Sequence, residues 1–217
     1  MKVSNKMIQE VWNEHAGGYN AAHNISENED RKEWKNILKR YIGEKSTQKV
    51  LDIGTGTGFL AFAAEELGYR CTGVDLAPKM IDTAKAFAKK NGFETEFQTA
   101  DWSNLPFQDD SYEAVINRCI VWTLFTPEKT LSEWKRVLKP QGKLLCFCPA
   151  SSLEGKIQPD HYEKEVEEQL PLKNASSEQL CKALTDCGYS EVEILELKEL
   201  GKDEIFGGWY LLKGVKQ

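Results

Sequence analysis

The chain has 217 residues, with 28 Lys+Arg against 34 Asp+Glu and a formal net charge of −6. Apolar residues make up 41 % and charged residues 29 %, which fits one globular domain and excludes a disordered chain. No apolar run approaches the ~20 residues of a membrane span, and the acidic balance argues against nucleic acid or an anionic membrane as a partner.

In chain order, Ser4 to about Tyr19 reads as a helix with Met7, Ile8, Val11, Trp12 and His15 on one face. Ser26-x-x-Glu29 is a capping-box pattern opening a second helix, striped by Trp34, Ile37, Leu38, Tyr41 and Ile42 and stopped by Gly43. Then strand and helix alternate. Lys49–Ile53 reads as a buried strand, Gly58–Leu67 as an Ala-rich helix, and Arg70–Asp75 as a second strand. Pro78 opens a helix that Asn91-Gly92 ends. Phe93–Thr99 and Tyr112–Asn117 read as the third and fourth strands, and Thr126 caps a helix carrying Leu131, Trp134, Val137 and Leu138. Pro140-Gln141-Gly142 is expected to turn into a fifth strand, Lys143–Cys148. Residues 149–173 read as a polar insertion or lid, with a short acidic helix near Glu163–Leu170. Ser176-x-x-Gln179 starts a last helix that ends at Gly188, and strands follow at Glu191–Glu199 and Phe206–Lys213.

Repeated strand–helix units predict parallel strands joined by right-handed crossovers, with helices on both faces. The expected fold is α/β: a Rossmann-like, doubly wound, mostly parallel seven-stranded sheet with an antiparallel last strand and an N-terminal helical lid. The expected layout is one domain, with a helical cap over 1–45, a cofactor core over 46–148, the insertion 149–173 and a C-terminal helix and strands over 174–217. Met1-Lys2-Val3-Ser4-Asn5 is not followed by an apolar run, so no secretory signal is expected and the six cysteines read as reduced cytoplasmic thiols. Cys146 and Cys148 read as buried small hydrophobes, with a metal pair as the alternative. His15, His23 and His161 share no ligand-like spacing, and no metal is expected.

Ligands of such sheets bind at the carboxyl ends of the strands, where strand order reverses. The first strand–helix turn is Asp52-Ile53-Gly54-Thr55-Gly56-Thr57-Gly58, and glycines there let backbone approach a ligand. The second strand ends in Asp75, near the ~20-residue spacing of a carboxylate that accepts ribose hydroxyls. An adenosine-type ligand follows from these two features. The turn is G-x-G-x-G, and Asp52 stands before it. A pyrophosphate at the helix start would be repelled by Asp52, whereas an ammonium or sulfonium would be attracted.

Val50-Leu51-Asp52-Ile53-Gly54-Thr55-Gly56-Thr57-Gly58-Phe59 resembles the first motif of class I S-adenosylmethionine-dependent methyltransferases, and Val74-Asp75-Leu76-Ala77-Pro78-Lys79-Met80 resembles their second. Ala100–Phe107, Phe107–Val115 and Val137–Leu144 resemble three later segments of the small-molecule branch that includes the ubiquinone/menaquinone-type enzymes. The resemblance spans roughly residues 48–148. It implies S-adenosyl-L-methionine as cofactor and S-adenosyl-L-homocysteine as product. Gly54, Gly56 and Gly58 would border the methionine portion, Asp52 would hold its ammonium and Asp75 the ribose. Leu76 and Met80 would pack on adenine, Asp101 would accept its amine beside Trp102, and Tyr19 would cover the cofactor. Asn117 and Arg118 would lie under the methionine, and Arg118, Trp122 and His15 would face the acceptor. Gln141 departs from the family's usual glycine, and the N/D-P-P-Y/F motif of nucleic-acid amine methylation is missing after the fourth strand. The reading is transfer of a methyl group to a small-molecule acceptor by in-line displacement, by a monomer or homodimer, with no catalytic residue assigned. The alternatives are an NAD-dependent oxidoreductase and a non-catalytic S-adenosylmethionine-binding module. For the glycines, Asp75 and Asp101 the competing role is structural, as turn or helix cap.

Overall fold

The computed structural model describes residues 5–19, 31–44, 48–153, 162–202 and 206–217. Helix α1 spans Asn5–His15 and α2 spans Lys32–Ile42. Strand β1 (Lys49–Ile53), α3 (Phe59–Glu65), β2 (Arg70–Asp75), α4 (Pro78–Asn91), β3 (Glu96–Thr99) and β4 (Tyr112–Arg118) follow. Then come α5 (Pro127–Val137), β5 (Leu138–Pro149), α6 (Ser177–Asp186), β6 (Tyr189–Glu196) and β7 (Trp209–Lys216). The Ser26-x-x-Glu29 pattern, His23 and His161 lie outside the described residues.

The sheet has seven strands in the order β3-β2-β1-β4-β5-β7-β6. All pairs from β3 to β5 are parallel, and β7 runs antiparallel between β5 and β6. The last strand is therefore the antiparallel one, and it inserts inside the sheet, leaving β6 at the edge. Strand order reverses between β1 and β4, which opens a crevice at their carboxyl ends. Helices cover both faces, so β1 is buried from Val50 to Ile53. One core gathers Leu51, Ile53, Trp134 and Leu144; the other gathers Ile37, Leu38, Val50, Phe62 and Phe147.

Local chemistry explains most boundaries. Pro78 occupies the first turn of α4, and Gly92 closes it in the left-handed region at φ 75°. Ser176 and Gln179 form a reciprocal capping box at the start of α6. Three expectations shift. Helix α1 stops at His15, and the chain turns through Ala16–Gly18 before Tyr19, because two successive glycines favour a bend over a helix. Thr126 precedes α5 but its side chain makes no capping hydrogen bond. Strand β5 begins at Leu138: Tyr112 pairs with Leu138 and Ala114 with Lys143, so Lys139–Gly142 form an irregularity inside the strand. Gln141 sits there at φ 64°, the left-handed conformation that the family's glycine adopts without strain.

Candidate functional site

The crevice is built from three loops and one helix. The Gly54–Gly58 turn leaves β1, Leu76 and Ala77 leave β2, Cys119–Leu124 leave β4, and α1 lies across them. Gly54, Gly56 and Gly58 all adopt positive φ, at 65°, 54° and 95°. At Gly54 a Cβ would stand 2.3 Å from Ile120 Cδ1, and at Gly56 it would meet only Tyr19 Cε1, at 3.8 Å. Gly58 serves packing: its Cβ would lie 2.6 Å from Phe62 Cε2 and 3.1 Å from Phe97 Cζ. The alternating glycines therefore divide: Gly54 and Gly58 allow close contact with Ile120 and Phe62, and Gly56 alone leaves its side open.

Two carboxylates flank the cradle. Asp75 is buried; its Oδ2 accepts from Gly56 N at 2.9 Å and its Oδ1 from Ala77 N at 2.8 Å. The two bonds tie the glycine turn to Ala77, the residue that precedes α4. Burial pushes Asp75 up from the ordinary carboxylate range to about 6, against the pull of its backbone amides. Asp52 is 2 % exposed and accepts from Thr55 Oγ1 at 2.7 Å. Burial pushes it to about 7, while the Thr55 bond and the Arg118 charge pull the other way. Two acids desolvated this strongly gain from a ligand that carries positive charge and hydroxyl donors.

A narrow cavity of about 50 Å³, partly open to solvent, lies over these groups. Tyr19, Gly54, Gly56, Asp75, Met80, Trp102, Arg118 and Trp122 line it, as expected, together with Trp12, Cys119, Ile120, Pro149 and Phe206. A smaller recess shares Tyr19, Gly54 and Arg118 with the cavity and adds Asp52, Thr55 and Thr57. The remaining expected residues stand outside these walls. Leu76 belongs to the core, and its carbonyl accepts from Gln9 Nε2 at 2.7 Å. Asp101 Oδ1 accepts from Ser103 N and Oγ, and its Oδ2 from Asn5 Nδ2 at 2.6 Å. Asn117 is fully buried and donates to Cys146 Sγ at 3.2 Å, and its Oδ1 has no hydrogen-bond partner. His15 is exposed on α1, with Nδ1 2.7 Å from Val11 O, and does not line the cavity.

Sequence reasoning treated Trp12 as core, yet it forms a wall of the cavity and donates from Nε1 to Tyr162 OH at 2.8 Å. That bond ties α1 to the segment after residue 161. The apolar stripe of α1 cannot show which of its members faces a core and which a hollow. Phe206 and Pro149 arrive from distant strands and carry no local signal. Cys119, at φ 64°, turns the chain out of β4. Among the described residues no group of three or more His, Cys, Asp or Glu is arranged to hold a metal ion, and no helix is long and apolar enough to cross a membrane.

Residues 51–146 match the methyltransferase-domain family. Over that stretch the chain is similar to methyltransferase domains. It is 30 % identical over 142 residues to the ubiquinone/menaquinone biosynthesis C-methyltransferase UbiE of Bdellovibrio bacteriovorus, an alignment covering 64 % of this chain and 60 % of the relative. It is 38 % identical over 114 residues to the demethylmenaquinone methyltransferase of Thermus thermophilus, covering 52 % of each chain. The chain thus spans half to three fifths of the length of these two relatives. The chain also shares its fold with Haemonchus contortus phosphoethanolamine N-methyltransferase 2 in complex with S-adenosyl-L-methionine, at TM-score 0.73 and 21 % identity over 99 % of this chain and 60 % of that one. The family match over residues 51–146 contains the Gly54–Gly58 turn and both acids.

Proposed function

We propose that the protein is an S-adenosylmethionine-dependent methyltransferase acting on a small-molecule acceptor. The carrying observation is the pair of buried acids, Asp52 and Asp75, on either side of a side-chain-free cradle. The residues suit the cofactor. Asp75 retains lone pairs beside its two backbone bonds for ribose hydroxyls, Asp52 faces the recess where an ammonium fits, and Met80 and Trp102 offer apolar walls for adenine. Asp101 has one oxygen shared with Asn5 and lies beside Trp102, consistent with reaching the adenine amine through its remaining lone pairs. When bound, the cofactor supplies an activated methyl on a sulfonium with a neutral leaving group.

The protein's own part is alignment and exclusion of water. Tyr19 and Trp12 roof the cavity, packed edge to face with ring centroids 6.0 Å apart, and the Tyr162 bond holds Trp12 in place. Ile120 lies against Gly54 and narrows the path between recess and cavity. Trp122, Pro149 and Phe206 form the far wall, where the acceptor sits. Among the described residues, the side chains of that wall include no strong base.

Titration calorimetry with S-adenosylhomocysteine should give saturable heat at micromolar concentration; none at high micromolar ligand defeats the reading. NADH fluorescence enhancement would instead support the oxidoreductase. Cofactor binding without radiolabel transfer from S-adenosylmethionine to any fraction of a cell extract would favour the non-catalytic module.

A further inference from the structure

Helix α1 carries a row of amides that docks it on the carboxyl ends of the strands. Asn5, Gln9 and Asn13 stand four residues apart and so share one face. Gln9 Nε2 donates to Leu76 O at 2.7 Å, and Asn13 Oδ1 accepts from Lys79 N at 3.1 Å. Asn5 differs from these two. Its Nδ2 donates to Asp101 Oδ2 at 2.6 Å, but its Oδ1 is buried and has no hydrogen-bond partner among the described residues. The amide cannot be turned over to relieve this, because Oδ1 would then face a carboxylate oxygen, acceptor against acceptor. The orphan is therefore an acceptor, and burial without a donor destabilises it. It sits beside Asp101, whose chain neighbour Trp102 lines the cavity.

We infer that Asn5 is a specificity-determining residue for the base of the cofactor: its Oδ1 accepts one hydrogen of the adenine amine while Asp101 accepts the other. The inference rests on the reading of the cavity as a cofactor site and adds a residue of α1 to it. In that reading the ribose hydroxyls meet Asp75 and the ammonium meets Asp52, so the exocyclic amine is the donor left for this end. An amine carries two N–H donors, and the pair offers an acceptor for each, Asn5 Oδ1 and a remaining lone pair of Asp101. A base with a carbonyl at that position would bring a third acceptor against them and leave all three unpaired. Asp101 does not depend on Asn5 for its place, since its Oδ1 accepts from Ser103 N and Ser103 Oγ, each at 2.8 Å. Removing Asn5 therefore removes one acceptor and leaves the other standing.

Titration calorimetry on the full chain tests this with S-adenosylhomocysteine and its deaminated purine analogue, in which hydrogen replaces the adenine amine. Wild type should bind the amine-bearing ligand about tenfold more tightly, or better. Asn5→Leu should cut that preference by about fivefold to tenfold, weakening S-adenosylhomocysteine while leaving the analogue within about twofold. Asn5→Ala should give the same result, and it carries the test if the larger side chain unsettles α1. Gln9→Ala removes a docking bond of the same helix without touching the pair, and should leave the preference unchanged. A preference that is absent from wild type, that survives in both Asn5 variants, or that falls as far in Gln9→Ala overturns the proposal and leaves the cofactor reading intact. Failure of both ligands to bind wild type overturns the cofactor reading, and this proposal with it.

Discussion

The two ends of the parallel strands present opposite kinds of hollow. At the amino ends lies the larger one, about 880 Å³, lined by Lys49, Glu65, Arg70, Glu94, Glu96, Pro106 and Ser111 among others. At the carboxyl ends lies the cavity of about 50 Å³. Size points to the wrong end. The large groove is bordered by solvated charges already engaged in the fold, such as Glu65, which accepts from the backbone of Glu94 and Thr95. The small cavity holds carboxylates pushed far from their ordinary range, strained backbone and unfilled cradle space. Burial that outweighs the nearby counter-charge distinguishes a candidate binding site from a surface depression.

The largest expected effect sharpens that contrast. Asp75→Ala should weaken S-adenosylhomocysteine by ~1–3 kcal/mol, since it removes charge-assisted contacts to the ribose. Glu65→Ala, at the other end, should leave the dissociation constant unchanged while lowering the melting temperature, because it frees two backbone amides. Equal effects on affinity would erase the distinction. Next, Gly54→Ala places a methyl against Ile120 at a positive φ and should destabilise the apo protein by ~1–3 kcal/mol, read by denaturant unfolding. Gly56→Ala, strained at its φ but sterically free, should cost ~1–2 kcal/mol in stability and reduce affinity as well, because its Cβ points where the ligand lies.

A third test uses pH. The folded-state value of Asp52 is raised, so its neutral form suits the apo fold and its ionised form is disfavoured there. Stability from this group is full below the unfolded carboxylate value and is lost as pH rises towards about 7. Binding of a cationic amino acid needs the ionised form. The rise in melting temperature given by S-adenosylhomocysteine should therefore grow between pH 6 and pH 8, a window set by the value near 7. Asp52→Asn should raise the apo melting temperature by a few °C at pH 8 and remove that pH dependence of binding. An unchanged pH profile would show that Asp52 meets no charge. The smallest effect belongs to the roof. Tyr162→Phe deletes one hydrogen bond to Trp12 and should cost ~0.5–1.5 kcal/mol in stability, with faster ligand dissociation in stopped-flow fluorescence.

Most of the cofactor half was legible because its determinants are local. A strand, a glycine turn and an acid at the next strand's end fall within 26 residues of one another, and their backbone needs are written in the residue types. Asp52, Gly54, Gly56 and Asp75 follow from that spacing, whereas Met80 follows only from the family resemblance. The acceptor half assembles from segments up to 200 residues apart. Trp12, Trp122, Pro149 and Phe206 meet only through packing, and each has an ordinary side chain for its own element.

The chain alone determined the alternation of strands and helices, the parallel core and the identity of the two acids, since hydrophobic period and turn chemistry act over a few residues. Tertiary structure decided that β7 slots between β5 and β6, that Gly54 packs on Ile120 and Gly58 on Phe62 while Gly56 stays bare, and that three rings stand around Arg118. Those outcomes depend on which distant surfaces bury one another, and no local pattern of residues encodes that choice.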